Sequence, residues 1–275
     1  MIQEIGPARL DNHYAPLEAV PQDTALFFRD GQVLARFDEK NDTLVFPRRE
    51  DFPGSAQAEY MFSIGNERFF LLFGADSVPK GFSYFTMPQA RSLRRRENRN
   101  VFAVYTGFHL WKWYAASRFC GACGAETLFD RKERAKRCPQ CGNVIYPRIN
   151  PAVIVGVKNG DRLLLTRYKT GYAHNALVAG FTEIGETLEE TVKREVMEEV
   201  GLQVKNIQYY KSQPWGVACD ILMGFYCDVD GSDQIRRDDS ELKSADWVQR
   251  EEIVLQPTDD SLTNEMMKMF KEGKQ

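Results

Sequence analysis

The chain has 275 residues, of which 43% are hydrophobic and 12% aromatic, so it contains enough apolar material for two or three small domains. A net charge of -3 and a sequence pI near 5.8 exclude a protein that coats nucleic acid or an anionic membrane through bulk positive charge. The first residues lack a basic segment followed by an apolar run, and no stretch approaches about eighteen uninterrupted apolar residues. We therefore expect a soluble, cytoplasmic protein without a membrane span.

Residues 1–115 predict a β-rich N-terminal domain. The apolar runs Ala25–Phe28 and Val33–Phe37 flank Arg29-Asp30-Gly31, a pattern typical of a hairpin. A second hairpin is indicated by Tyr60–Ile64 and Arg68–Phe73, which flank Gly65-Asn66.

A connecting helix is predicted from Met87 to Tyr114, where turn residues are sparse and apolar residues recur at nearly helical spacing. Its basic cluster is typical of a solvated helix face, with phosphate binding as the alternative; the cluster comprises Arg91, Arg94, Arg95, Arg96 and Arg99.

Two C-x-x-C pairs lie in residues 116–147, with fourteen residues between the pairs. This layout places four thiolates around one Zn²⁺ and predicts a zinc ribbon; the ligands are Cys120, Cys123, Cys138 and Cys141. A redox dithiol or ordinary core cysteines are the alternatives. Because protein ligands fill all four positions, we expect a structural ion. The other two cysteines, Cys219 and Cys227, are predicted to be ordinary buried thiols.

Residues 148–275 predict a domain that mixes strands and helices. Ala152–Val157 and Leu163–Arg167 flank an Asn-Gly turn and indicate a hairpin, and Leu177–Ala179 indicates a further strand. A helix is predicted from Thr187 to Val200. Thr187 is its expected N-cap, with Glu190 as the capping-box partner, and Gly201 ends it.

Three carboxylates of this helix, Glu195, Glu198 and Glu199, stand at i, i+3 and i+4 and therefore project from one face. A solvated acidic face is the alternative interpretation. Hard divalent ions prefer oxygen ligands, and a carboxylate cluster is stable when a cation neutralises it, so the spacing fits Mg²⁺.

The residues around the helix resemble the Nudix signature G-x5-E-x7-R-E-U-x-E-E-x-G-U, where U is a bulky aliphatic residue. The matching positions are Gly180, Glu186, Arg194, Glu195, Glu198, Glu199, Gly201 and Leu202. The resemblance implies a Nudix α-β-α sandwich with a mixed sheet, of the α+β or α/β class. It also implies hydrolysis of a phosphoanhydride with Mg²⁺ or Mn²⁺. We expect Arg194 to pair with Glu186 and to orient the site.

The catalytic candidates are Glu198 and Glu199, as metal ligand and base. In many Nudix enzymes the proton acceptor lies outside the signature. The acidic segment Asp238-Asp239-Ser240-Glu241 supplies Glu241 as a third candidate.

A four-cysteine ribbon, a Nudix signature and a downstream Ser212-Gln213-Pro214-Trp215, in this order, resemble the NADH pyrophosphatase family over about residues 100 to 275. Family members continue with Pro-Phe-Pro, whereas this chain has Gly216-Val217-Ala218. The departure implies a more flexible segment with less stacking area.

The resemblance implies hydrolysis of NADH or NAD⁺ to nicotinamide mononucleotide and AMP by a homodimer, with NAD-capped RNA as a further substrate of some members. The implied Mg²⁺ or Mn²⁺ ligands are the Ala179 carbonyl, Glu195, Glu198, Glu199 and Glu241. The implied nicotinamide contacts are Phe181 and, across the dimer, Tyr146. The implied nucleotide contacts are Gln213, Pro214, Trp215, Gly216, Val217, Ala218, Cys219 and Asp220.

Two other functions are compatible with the sequence. One is a Nudix hydrolase of ADP-ribose, coenzyme A or a diadenosine polyphosphate. The other is a non-enzymatic nucleotide sensor or nucleic-acid-binding zinc-ribbon protein, although such sensors usually lose signature carboxylates that are all present here.

Overall fold

The computed structural model describes residues 1–52, 57–74, 77–93, 98–171 and 174–275. The chain divides into two compact units, one of residues 2–148 with 216–219 and one of residue 1 with 149–215 and 220–275. The division into domains at 1–115, 116–147 and 148–275 stays a prediction. Within the described residues, no helix combines the length and the apolarity that a bilayer span requires.

The described residues of the first unit form three small sheets and two helices. Its strands are β1 Leu10–Asp11, β2 Thr24–Leu26, β3 Phe28–Arg29, β4 Gln32–Asp38, β5 Thr43–Val45, β6 Gln57–Ile64, β7 Glu67–Phe73, β8 Ser83–Thr86, β9 Leu128–Phe129, β10 Lys136–Arg137 and β11 Val144–Ile145. Its helices are α1 Met87–Ser92 and α2 Arg99–Ala116, with a 3₁₀ turn at Arg49–Asp51. The strand orders are β1-β6-β7-β2, β3-β4-β5 with β8 on β4, and β11-β10-β9.

Both predicted N-terminal hairpins are present. β6 and β7 pair antiparallel around Gly65, whose φ of 59° is in the left-handed region. In the other hairpin only β3 pairs antiparallel with β4, because β2 joins another sheet, parallel to β7. One apolar run thus serves two sheets, which its composition alone does not reveal.

The predicted single connecting helix is two helices. α1 begins at a Thr86 capping box with proline in its first turn and ends at Ser92, with Leu93 as its C-cap. α2 begins after Asn98. Arg94, Arg95 and Arg96 of the predicted basic cluster lie outside the described residues.

The second unit is a mixed sheet between two helices. Its elements are β12 Asn150–Asn159, β13 Arg162–Tyr168, β14 Val178–Phe181, α3 Leu188–Val200, β15 Val204–Trp215, β16 Asp220–Val229, β17 Leu242–Gln249, a 3₁₀ turn at Arg250–Glu252 and α4 Leu262–Lys271. The strand order is β15-β16-β12-β13-β17, with β14 also paired to β12. β12 and β16 run parallel, and the other pairs run antiparallel.

Apolar residues bury both faces of this sheet. On one face, Val196 and Val200 of α3 pack with Phe225 and other strand residues. On the other face, Met266 and Phe270 of α4 pack with Tyr226 and its neighbours. The structure therefore confirms the predicted α-β-α sandwich.

Candidate active site and metal centres

The four ribbon cysteines converge, with their sulfur atoms all within 4.8 Å of one another. Cys120 Sγ lies 3.6 Å from Cys141 Sγ, and Cys123 Sγ lies 3.4 Å from Cys138 Sγ. Backbone N–H groups of Ala122 and Cys123 lower the pKa of Cys120 to about 6, which favours a thiolate. The donor set fits Zn²⁺ in a structural site, because four sulfur ligands leave no open position.

The sharp turns that bring each pair together use glycine. Gly124 and Gly142 have φ of 77° and 75°, and their N–H groups donate to the carbonyls of Cys120 and Cys138. These two turns are nearly identical, as two halves of one ion-binding module should be.

The remaining cysteines differ from each other. Cys227 is fully buried, as predicted, and burial raises its pKa to about 12. Cys219 is only half-buried, contrary to the prediction, because it occupies a tight turn with φ of 62°.

The signature helix α3 is built from local sequence signals. Thr187 accepts a hydrogen bond from the Glu190 N–H, and the Glu190 carboxylate accepts one from the Thr187 N–H at 2.7 Å. Gly201 ends the helix with φ of 68°. The predicted helix and both of its ends are confirmed.

Arg194 forms hydrogen bonds with several of the other signature residues. Its guanidinium binds both oxygens of Glu186, at 2.6 and 2.9 Å, and donates to Glu195 at 2.7 Å and Glu198 at 3.0 Å. It also donates to the Phe181 carbonyl at 2.9 Å. Arg194 is the principal cause that lowers the pKa of Glu186 to about 2. The guanidinium thus ties the 181–186 loop to the carboxylate face of α3.

Glu199 is the most deeply buried of these carboxylates. One oxygen accepts a hydrogen bond from the Ala179 N–H at 3.3 Å, whereas the other is buried without a hydrogen-bond partner among the described residues. Burial, reinforced by Glu195 and Glu241, raises the pKa of Glu199 to about 8. Burial also raises the pKa of Glu195. An orphaned carboxylate oxygen among like charges fits a bound divalent cation.

Glu241 is held next to α3 by a loop that caps the helix. The Arg236 N–H donates to the Val200 carbonyl and the Asp238 N–H to the Glu199 carbonyl, each at 2.8 Å. Glu241 is exposed. This loop therefore brings a distant acidic segment to the carboxylate cluster.

Tyr168, at the end of β13, lies near the signature carboxylates, and the sequence analysis did not predict this. Burial raises its pKa, and Glu199, Glu241 and Glu195 raise it further. A lone tyrosine at a strand end carries no local signal of this position, because only the sheet register brings it to α3.

Gln213 and Asp220 were both predicted to line the nucleotide. The amide of Gln213 is fully buried, where it donates to the Asp260 carbonyl at 2.8 Å and accepts from the Leu262 N–H at 2.7 Å. Gln213 therefore caps the start of α4. Asp220 is also buried, and its Oδ1 has no hydrogen-bond partner within the described residues. Burial raises the pKa of Asp220 to about 6.

Gly216 occupies a position where a side chain does not fit. A Cβ built on Gly216 would stand 2.0 Å from the carbonyl oxygen of Tyr105 in the same unit. The departure from Pro-Phe-Pro at 216–218 thus has a local steric reason at its first residue. Of the remaining predicted nucleotide contacts, Pro214 and Trp215 end β15, and Val217 and Ala218 follow Gly216 in the turn.

The two predicted nicotinamide contacts belong to different units. Tyr146 is 57% exposed, and its hydroxyl donates to Glu133 at 2.9 Å. Phe181 ends β14 and is 51% exposed. Large exposed aromatic rings are available for stacking on a flat ligand.

Known proteins resemble both parts of this arrangement. Residues 148–270 match the model of the NUDIX domain, and residues 115–146 match the NADH pyrophosphatase zinc ribbon domain. Proteins named NAD-capped RNA hydrolase NudC from Yersinia pestis and Pectobacterium atrosepticum are 41% identical over 154 residues and 40% identical over 148 residues. The alignments cover 55% and 54% of this chain, and 58% and 56% of the relatives. The chain thus spans little more than half the length of the curated relatives it matches.

Among solved structures, the crystal structure of a NUDIX hydrolase from Nitrosomonas europaea has a TM-score of 0.49 and 22% identity, over 57% of this chain and 92% of that chain. The chain thus contains two adjoining regions that match, in this order, the NADH pyrophosphatase zinc ribbon domain and the NUDIX domain.

Proposed function

We propose that this protein hydrolyses the diphosphate bond of NADH or NAD⁺, giving nicotinamide mononucleotide and AMP. The observation that carries the proposal is a buried oxygen of Glu199 that has no hydrogen-bond partner in the described part of the chain; it lies among carboxylates, two of which Arg194 binds. The name of the relatives, NAD-capped RNA hydrolase, supports an NAD-containing substrate and makes NAD-capped RNA a second one.

The proposed ligands of Mg²⁺ or Mn²⁺ are the carbonyl of Ala179 and the carboxylates of Glu195, Glu198, Glu199 and Glu241. When bound, such ions neutralise the diphosphate and activate water for attack on phosphorus. Arg194 restrains Glu195 and Glu198 by hydrogen bonds and so orients them.

Glu198, Glu199 and Glu241 are the proposed candidates for the base that takes the proton from the attacking water. Glu198 and Glu241 are the exposed members of the three, so solvent reaches them directly. Glu199 is buried and better suited to hold an ion, since a cation offsets the cost of its burial.

The proposed substrate contacts are Phe181 and, across the proposed homodimer, Tyr146 for the nicotinamide ring, and residues 213–220 for the nucleotide. Within that segment the Asp220 carboxyl is a buried acceptor, and its Oδ1 accepts no hydrogen bond from the residues that the structure describes. The Gln213 amide is already engaged by α4, so its contribution is to fix the strand from which the segment begins.

We also propose a homodimer in the cytoplasm. The dimer is what the resemblance of the sequence to the NADH pyrophosphatase family implies. The four-cysteine cluster supports a reducing compartment, because cysteines bind zinc as reduced thiolates.

A substrate panel tests the activity. With Mg²⁺ or Mn²⁺, kcat/KM is measured for NADH, NAD⁺, ADP-ribose, coenzyme A, diadenosine polyphosphate and NAD-capped RNA. We expect an NAD species to lead. A ranking led by another substrate would refute NAD specificity, and absence of hydrolysis throughout would favour a nucleotide sensor.

Glu199→Gln tests the metal site. We expect a loss of about 100-fold or more in kcat with the fold retained, because the amide cannot supply the anionic ligand. The matched control is Glu189→Gln on the exposed first turn of α3, which should keep wild-type turnover. Near wild-type turnover of Glu199→Gln would contradict the assignment.

A further inference from the structure

Tyr168 lies on the face of the sheet that α3 covers. Side chains alternate along β13, so Leu163 and Leu165 pack in the α4 core, whereas Leu164 packs in the α3 core. Tyr168 continues the even-numbered series and packs against the α3 core. Its ring therefore shares a face with the helix that carries the signature carboxylates.

The strand register places Tyr168 beside the loop that holds Glu241. Tyr168 pairs with Leu242, and the N–H of the next residue, Lys169, donates to the Glu241 carbonyl at 3.0 Å. The register shifts between Arg167 and Tyr168, because β17 contributes one extra residue there. Such bulges commonly re-aim side chains near active sites.

The Tyr168 hydroxyl makes no hydrogen bond within the described residues, although Glu199, Glu241 and Glu195 act on it electrostatically. Tyr168 is only half-buried, so solvent reaches part of its side chain. The hydroxyl can therefore donate a hydrogen bond to an anionic ligand that binds at the carboxylates together with divalent cations.

We propose that the Tyr168 hydroxyl donates a hydrogen bond to a non-bridging oxygen of the bound diphosphate. This inference rests on the proposed function, because it requires a diphosphate at the α3 carboxylates. Carboxylates attract the cations, and the phenol supplies a neutral donor that binds the anion without competing for the metal.

The test is the binding of α,β-methylene-ADP, a diphosphate with a non-cleavable bridge, to wild-type protein and to Tyr168→Phe with Mg²⁺. The phenylalanine ring keeps the packing against α3. We expect about 10-fold weaker binding to the variant, the loss typical of a hydrogen bond to a charged group. Mg²⁺ affinity measured alone should not change.

Tyr210→Phe is the matched control, because the Tyr210 ring packs on the opposite, α4 face of the sheet. It should bind the probe as the wild type does. Equal binding by Tyr168→Phe and wild type would overturn the inference and leave the proposed function standing. A changed Mg²⁺ affinity of Tyr168→Phe would overturn the inference, because it would make the hydroxyl a metal ligand. Failure of the wild type to bind the probe would overturn both the inference and the proposed function.

Discussion

The carboxylate of Glu195 lies directly against the backbone of Gly180. A Cβ built on Gly180 would stand 2.0 Å from the carboxyl carbon of Glu195, far inside any real contact. Gly180 has no positive φ, so it is required here for space and not for backbone freedom. This explains in physical terms why the signature begins with glycine.

Gly180→Ala should therefore expel the Glu195 carboxylate from its place beside Arg194. We expect kcat/KM for NADH to fall about 100-fold, because misplacement by about 1 Å is costly in a catalytic site. Activity is compared with that of Gly121→Ala, where a Cβ meets nothing within 4 Å. Unchanged kinetics for Gly180→Ala would show that Glu195 is dispensable.

The zinc centre should be required for stability. Cys120→Ser should lose bound zinc and about 3 kcal/mol of stability, or about 10 °C in Tm, because metal binding contributes directly to folding. Zinc content and thermal unfolding measure this. Cys219→Ser, outside the cluster, should retain one zinc per chain; zinc retention by Cys120→Ser would contradict a four-sulfur site.

The raised pKa of Asp220 should make the stability of the protein depend on pH. Its folded pKa of about 6 exceeds the unfolded value of 3.8, so the folded state binds more protons between these values. The contribution of Asp220 to the free energy of unfolding is complete below about pH 4 and is lost as the pH rises through 6. Asp220→Asn should remove this decline and exceed the wild type by about 1–2 kcal/mol at pH 8.

Denaturant unfolding between pH 4 and 8, without substrate or divalent ions, measures the Asp220 effect. The exposed Asp161 provides the control variant Asp161→Asn, which should follow the wild-type profile. A parallel profile for Asp220→Asn and the wild type would mean that Asp220 ionises normally.

Gly216 should tolerate no side chain. Gly216→Ala places a methyl group 2.0 Å from the Tyr105 carbonyl oxygen, and either backbone must move. We expect a loss of about 2 kcal/mol in stability, typical of overpacking. Thermal unfolding, with Gly121→Ala as the reference, tests this. A Tm equal to that of the reference would show that the turn adjusts freely.

Several features could be predicted because their causes are local in sequence. The zinc knuckles follow from cysteine spacing and adjacent glycines. α3 follows from Thr187, Glu190 and Gly201, which act within a turn of the helix ends. The β6–β7 hairpin follows from its glycine turn. In each, the residues that decide the conformation are neighbours along the chain.

Other predictions were wrong because residues far along the chain, or turns hidden in an apolar sequence, determine the structure. The run from Ala25 to Phe28 divides between two sheets because β7, far along the chain, pairs with its first half. Cys219 differs, because a local tight turn leaves it half-buried in a surrounding sequence that is apolar. Hydropathy describes a preference for burial but does not specify the partner.

For the site, the sequence by itself determined which residues form the signature and that three carboxylates share one helix face. Only the tertiary structure decided that Glu199 is buried with one oxygen unpaired among the described residues, that Glu241 is held near it, and that Tyr168 packs on the α3 face of the sheet. The reason is that charge and spacing are properties of α3 alone, whereas burial and neighbouring donors come from β13, β14 and the 236–241 loop, which long-range pairing brings to the helix.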